Sequence, residues 1–314
     1  MSIELSPEDA TLEELQHTPI DSVLNIIDDG LVHIPSYREL YYRWERQHWE
    51  ANEIDFIPDK IQWEYMSAEE RTMRIYALSE FFQGEASVTN GLAPYVIAMP
   101  NEEMRIYATT QLVDESRHTV FFARFFNEVM EIDEGSLEAT LAVARTYMNE
   151  HAKAILIDAL SETADRIRRD PQDIQRLIEG VSLYHIIIEG TMALAGQRAV
   201  LEVYRRDNIF PGFRAGFTAV ARDESRHVLF GVRFLRDMIL RDQKHKQTIY
   251  NTLNRYAPTA FAAVSPHEET VHRMLAQQED PWETMRYAKR SLEKKLKVIG
   301  LSMELPRIPS PPTF

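Results

Sequence analysis

The sequence predicts an all-α protein, and three observations carry that prediction. Apolar residues recur with a 3.6-residue period along most of the chain, and no β-branched run alternates long enough to make a strand. Only 11 of the 314 residues are glycine, roughly half the usual 7 %, too few for a turn-dense β fold or a glycine-rich phosphate loop. Pro100, Pro211 and Pro258 fall where successive helices should separate.

The periodic segments predict helices, in order, over Ser36–His48, Ser67–Ala98, Asn101–Met130, Ser136–Arg168, Pro171–Arg206, Pro211–Arg241, Lys246–Arg255 and Glu283–Val298. Ser67 followed by Glu70 is a capping-box pattern, and Pro171 after Asp170 reads as a first-turn proline. The most apolar stretch, Leu183 to Val203, is interrupted by His185, Glu189, Gln197, Arg198 and Glu202, so it reads as a buried helix and not a membrane span. Pro306 to Phe314 contains four prolines and is predicted as an extended tail. No linker divides the chain, which makes residues 1–314 one helical domain with a core at approximately 67–241.

Composition narrows the chemistry. With 49 acidic against 35 basic side chains the net charge is −14, which would repel a phosphate backbone and argues against nucleic acid. Cysteine is absent, so disulfides, thiolate zinc sites and cysteine-ligated clusters are excluded, and any metal must be held by His and carboxylate. Met1 to Asp21 is polar and acidic, without a basic start or an apolar run, so a cytoplasmic location is expected.

One pentapeptide repeats letter for letter: Asp114-Glu115-Ser116-Arg117-His118 returns as Asp223-Glu224-Ser225-Arg226-His227. Residues three apart on a helix share a face, so Glu115 with His118, and Glu224 with His227, can each aim at one point. Both acids lie on apolar stripes: Glu115 with Ala108, Leu112 and Phe122; Glu224 with Phe217, Val220, Ala221 and Val228. Two more acids break the same rule, Glu85 beside Leu78, Phe82 and Val88, and Glu189 beside Ile186, Met192 and Ala193. A carboxylate on an apolar stripe is costly unless it is paired or bound to metal. One Glu from each of two helices and Glu-x-x-His from each of two others is the ligand set of a carboxylate-bridged dimetal four-helix bundle. The predicted metal ligands are therefore Glu85, Glu115, His118, Glu189, Glu224 and His227. Such a set suits iron or manganese and leaves positions for dioxygen. Asp114 and Asp223 are candidates to orient the imidazoles. His185, four residues before Glu189, shares its face on an α-helix and is a further candidate near the site.

The order Trp49-Glu50-Ala51-Asn52-Glu53-Ile54-Asp55, Gly84-Glu85, the two pentapeptides and Glu189-Gly190 resembles the small subunit of class I ribonucleotide reductase, over roughly residues 35 to 260. The resemblance implies a ferritin-like bundle with additional helices, a homodimer, and an electron-transfer chain formed by Trp49, Asp223 and His118. Two departures argue against a reductase subunit. The radical tyrosine, four residues after the first metal His, is replaced by Phe122, and no tyrosine follows Tyr287. The chain is similar to a branch of this family, the ligand-binding oxidases. That branch implies one manganese and one iron ion, a long-chain fatty acid bound across them, dioxygen as co-substrate, and an ether cross-link whose partners would be Val88 and Tyr184. Manganese would lie with Glu85, Glu115 and His118, and iron with Glu189, Glu224 and His227; ligand identity alone leaves Fe/Fe open. On an α-helix, five residues amount to about 140° of rotation, so spacing does not by itself bring Tyr184 to the metals. A tyrosine-less reductase subunit and a diiron acyl desaturase or monooxygenase remain rival readings, with a ferritin-type store the non-enzymatic one.

Overall fold

The computed structural model describes residues 6–310, and among them every regular element is helical. Four of the five helices that build the site form a bundle: α2 (Ala68–Gly91), α3 (Glu102–Glu128), α4 (Ile174–Arg206) and α5 (Pro211–Arg241), with α1 (Tyr37–Arg46) laid across α3. The α2 helix packs on α3, α5 packs on both α3 and α4, and the N-terminal helices Leu12–His17 and Ile20–Val32 cover α5. The last four residues of the proline-rich tail, 311–314, lie outside the described residues.

Local chemistry explains where these helices begin. Ser67 and Glu70 form a reciprocal capping box, as do Ser36 and Glu39 at the start of α1, while Asn101 caps α3 through Met104 N. The α5 helix is capped from outside its own sequence. Asp59, on the helix Ile57–Glu64, accepts from Gly212 N at 2.9 Å and Phe213 N at 2.7 Å, placing a carboxylate at the positive end of a 31-residue helix. The approach is so close that a Cβ on Gly212 would stand 2.4 Å from the Asp55 carbonyl. That neighbour is backbone and cannot swing away. Gly212→Ala is expected to cost about 1–3 kcal/mol, read as a lowered urea midpoint.

Several predicted segments are cut differently. Pro258 does not separate helices: His245–Ala263 runs straight through it. Proline removes one bond, to the carbonyl of Asn254, and both residues lie on the exposed face where water can satisfy that carbonyl. Pro171 is not a first-turn proline; it lies in a turn, and Asp173 caps the helix that starts at Ile174. The segment Ser67–Ala98 breaks at Leu92 because Pro94 belongs to the first turn of a new helix, Ala93–Ala98. The segment Ser136–Arg168 breaks after Thr146, and Asn149 caps its continuation through Ala152 N. Helices Ile20–Val32 and Ile57–Glu64 lie outside the predicted set, although Ile20, Val23, Leu24, Ile27 and Leu31 carry the 3–4 spacing of a buried face.

The stretch predicted as a buried apolar helix is one: the most apolar window of α4 is 89 % buried within the protein. Its middle, Ser182–Ala193, is a π-helix. There each N–H reaches back five residues instead of four, so residues five apart come onto one face. The Thr191 hydroxyl follows the same register, donating to the Ile186 carbonyl.

Candidate metal centre

The bundle brings the six sequence-predicted residues together in its interior. They form two overlapping groups whose ligating atoms lie within 4.8 Å of one another: Glu85, Glu115, His118 and Glu224, and then Glu115, Glu189, Glu224 and His227. Glu115 and Glu224 are shared. Glu115 reaches His118 Nδ1 with one oxygen at 3.8 Å and His227 Nδ1 with the other at 3.2 Å, and Glu224 does the same at 3.5 and 3.3 Å. Glu85 lies only on the His118 side, at 3.2 Å, and Glu189 only on the His227 side, at 3.1 Å. Two carboxylates thus each face one imidazole, and two face both. Spacing alone does not separate the shared acids from the others, since that depends on which helices face each other.

Both imidazoles are fixed from behind, and the pairing is crosswise. His118 Nε2 lies 3.2 Å from Asp223, which belongs to the second pentapeptide, and His227 Nε2 lies 3.0 Å from Asp114, which belongs to the first. A carboxylate on Nε2 holds the proton there and turns Nδ1 toward the glutamates. Arg226, itself 2 % exposed, donates to Asp114 at 3.0 Å, to Asp223 at 2.7 Å and to the Gln47 side chain; Arg117 forms a second ion pair with Asp114. The Trp49 indole donates to Asp223 at 2.8 Å and stacks on His118 with ring centroids 6.3 Å apart, so Trp49, Asp223 and His118 form one hydrogen-bonded chain.

The charge balance calls for cations. Burial pushes the carboxyls of Glu85 and Glu189 well above the ordinary glutamate range, reinforced by neighbouring carboxylates. Burial works the same way on Glu115, but hydrogen bonding from His227 and the charge of His118 hold it at about 2. Burial acts against charge on either imidazole, yet the surrounding carboxylates raise both above their usual value. Oε2 of Glu189 and Oε2 of Glu224 are buried without a hydrogen-bond partner. Four buried carboxylates with two unpartnered oxygens and two imidazole lone pairs fit two divalent ions, which would neutralise the four charges.

Tyr184 reaches this centre. Its hydroxyl donates to Glu115 Oε1 at 2.7 Å, and burial, with the charge of Glu115, raises its pKa well above that of a free phenol. The π register supplies the rotation that an α-helix lacks: Tyr184 and Glu189, five apart, come onto one face. His185, by contrast, belongs to neither metal group. Its Nε2 lies 3.0 Å from Gln111, its Cβ presses on Gly231, and burial lowers its pKa so that the ring is neutral. Val88 and Tyr184 both line a cavity of about 290 Å³ whose walls include the four carboxylates, apolar side chains such as Met192 and Val200, and Tyr76 and His267. Phe122 lies apart from the cavity, packed between Phe82 and Phe217 at 6.3 and 5.5 Å, with no phenol to oxidise.

The fold is shared with solved structures of an R2-like ligand-binding oxidase. A valine-to-isoleucine variant with an anaerobically reconstituted Mn/Fe cofactor superimposes with a TM-score of 0.73 at 23 % identity, covering 85 % of this chain and 94 % of that one. A glycine-to-phenylalanine variant, also with Mn/Fe, gives 0.71 at 22 % over the same shares. A tyrosine-to-phenylalanine variant with an aerobically reconstituted Mn/Fe cofactor gives 0.73 at 22 %, again over the same shares. Residues 32–262 match the family described as ribonucleotide reductase, small chain. With a helical bundle, a paired carboxylate and imidazole cluster and that match across most of its length, the chain belongs to the ribonucleotide reductase small-chain family of oxidoreductases.

Proposed function

We propose that this chain is a dioxygen-dependent Mn/Fe oxidase that carries out a two-electron oxidation of a long apolar ligand. The observation that carries the reading is the cavity: it opens onto all four carboxylates, is walled by apolar side chains, and has Val88 and Tyr184 beside the ligand set. A radical-storing subunit needs no such room for a substrate.

In this reading Glu85, Glu115 and His118 would hold manganese, and Glu189, Glu224 and His227 would hold iron, with Glu115 and Glu224 placed to serve both. When bound, the pair supplies one-electron redox steps and the reduction of dioxygen. The chain's own residues do the rest. Asp223 and Asp114 keep the imidazole protons on Nε2. The apolar walls of the cavity exclude water and take the hydrocarbon chain of a fatty acid, whose carboxylate would join the metals.

Glu115 accepts from the Tyr184 hydroxyl at 2.7 Å and so holds the phenol oxygen at the cavity wall that Val88 also lines. That placement favours an ether between Tyr184 and Val88. A C–H of Val88 and the O–H of Tyr184 are lost, one C–O bond forms, and dioxygen accepts the two electrons and two protons. Mass spectrometry of protein loaded with both metals in air is expected to find a Val88 peptide joined to a Tyr184 peptide, lighter by two hydrogens. Unlinked peptides from metal-replete, air-exposed protein would sink the assignment, and elemental analysis distinguishes Mn/Fe from Fe/Fe.

A second reading, a tyrosine-less reductase subunit storing an oxidising equivalent at the metals, is favoured by Phe122 and by the Trp49–Asp223–His118 chain. It requires nucleotide reduction with a catalytic partner, and the absence of that activity with a cognate partner rejects it.

A further inference from the structure

The Trp49 chain has a counterpart on the other side of the centre. On α1 the indole N–H of Trp44 donates to Asp114 Oδ1 at 2.9 Å, and the second oxygen of Asp114 lies 3.0 Å from His227 Nε2. Each imidazole is thus joined through one buried aspartate to one indole, and the two aspartates hold the same place in the repeated pentapeptide. The two chains end differently. Trp49 is 4 % exposed and enclosed by the Phe121 ring and the Arg117 guanidinium. Trp44 is half-buried; its ring centroid lies 5.8 Å from that of Tyr41, which lies 6.3 Å from that of Tyr42, and Tyr42 is 49 % exposed. A string of oxidisable rings in near contact runs from solvent to Asp114. Orienting His227 would need only the Asp114 carboxylate, and neither tyrosine contributes to that.

We propose that Tyr42, Tyr41 and Trp44 form an electron-entry path to the metal held by Glu189, Glu224 and His227, separate from the path through Trp49. The inference rests on the dimetal oxidase reading. The oxidant is the metal centre after reaction with dioxygen. Trp44 gives one electron through Asp114 and His227, and the indole keeps its N–H proton, held by the existing hydrogen bond to the Asp114 carboxylate. Arg117 and Arg226 keep Asp114 in place. Tyr41 then returns an electron to the indole cation radical. The phenol proton of Tyr41 goes to Glu45, the neighbouring carboxylate whose charge already perturbs that hydroxyl. A soluble one-electron reductant, of the reduced-flavin or ascorbate class, refills Tyr41 through exposed Tyr42, and Glu45 gives the proton back. Each turn moves one electron inward and leaves the protein unchanged.

The test uses the full chain loaded with manganese and iron, mixed with dioxygen, frozen at short intervals and read by electron paramagnetic resonance. Trp49→Phe is expected to show an indole radical, and Trp49→Phe/Trp44→Phe to lose it, with metal content equal in both. Tyr41→Phe, at a half-buried surface position that leaves the fold intact, is expected to prolong the Trp44 radical and to slow reduction of the oxidised centre by ascorbate. Equal radical yield and decay with and without Trp44 would overturn the path, as would ascorbate reduction indifferent to Tyr41. A wild-type centre that stays reduced in dioxygen overturns the oxidase reading itself, and the path falls with it. Spectra of the wild-type centre alone therefore tell the two failures apart.

Discussion

Replacing Arg226 by methionine is expected to cost about 3–5 kcal/mol of folding stability, the range for breaking a buried ion pair on one side. The guanidinium is 2 % exposed and is the only cation that pairs with both Asp114 and Asp223 among the described residues. Both aspartates are fully buried. Methionine has similar length and fills much of the volume, so the loss comes from charge and not from a cavity. Asp114 keeps Arg117 as a partner, whereas Asp223 keeps only the Trp49 indole and His118. Burial acts to raise the Asp223 carboxyl, and it is chiefly Arg226 that holds it well below the ordinary aspartate range. Asp223 is therefore where the damage concentrates, and the His118 side of the centre should lose metal affinity first. Urea titration of metal-free protein measures the stability term, and metal titration the second. A loss under about 1 kcal/mol, the ordinary size for a point substitution, would mean that Arg226 does not compensate the two buried carboxylates.

Glu189→Gln is expected to change stability in opposite directions with and without metal. In metal-free protein the four glutamates crowd together, and Oε2 of Glu189 has no partner. Burial pushes the Glu189 carboxyl well up, so folding the metal-free protein costs either its protonation or a poorly compensated buried charge; the amide avoids that cost, and the metal-free variant should melt above metal-free wild type. With metals the order inverts. An ion held at a free concentration one hundred times its Kd adds about 2.7 kcal/mol to folding, and the variant gives up much of that at the His227 side. Thermal melts with chelator and with manganese plus iron give the four values needed. The same order of stability in both conditions would show that Glu189 is not a metal ligand.

These two experiments probe parts of the site that differed in how well they could be read from the sequence. The six clustered residues were legible because each glutamate is an anomaly on an apolar stripe, and because Glu-x-x-His repeats within an identical pentapeptide. The sharing of Glu115 and Glu224 was not legible, since it depends on helix facing. The approach of Tyr184 depends on a backbone register: Ser182–Ala193 has the residue types of any buried helix, and nothing in them marks the switch from i−4 to i−5 bonding. Trp44 was silent for another reason. Its partner Asp114 is 70 residues away in sequence, and no periodicity links α1 to α3. In the fold, Pro258 misled because a helix tolerates proline on a face where water can reach the freed carbonyl, and Asn254 and Pro258 both lie on the exposed face.

The crosswise pairing of Asp114 with His227 and Asp223 with His118 bears on how divisible this molecule is. Two identical pentapeptides suggest two modules, each with its own metal, open to separation or exchange. They are not modules in that sense. Cut between them, each half would keep an aspartate facing an empty space where an imidazole belonged, and an imidazole free to rotate for want of its aspartate. What is repeated in the sequence is half of a joint, and the two copies close on each other.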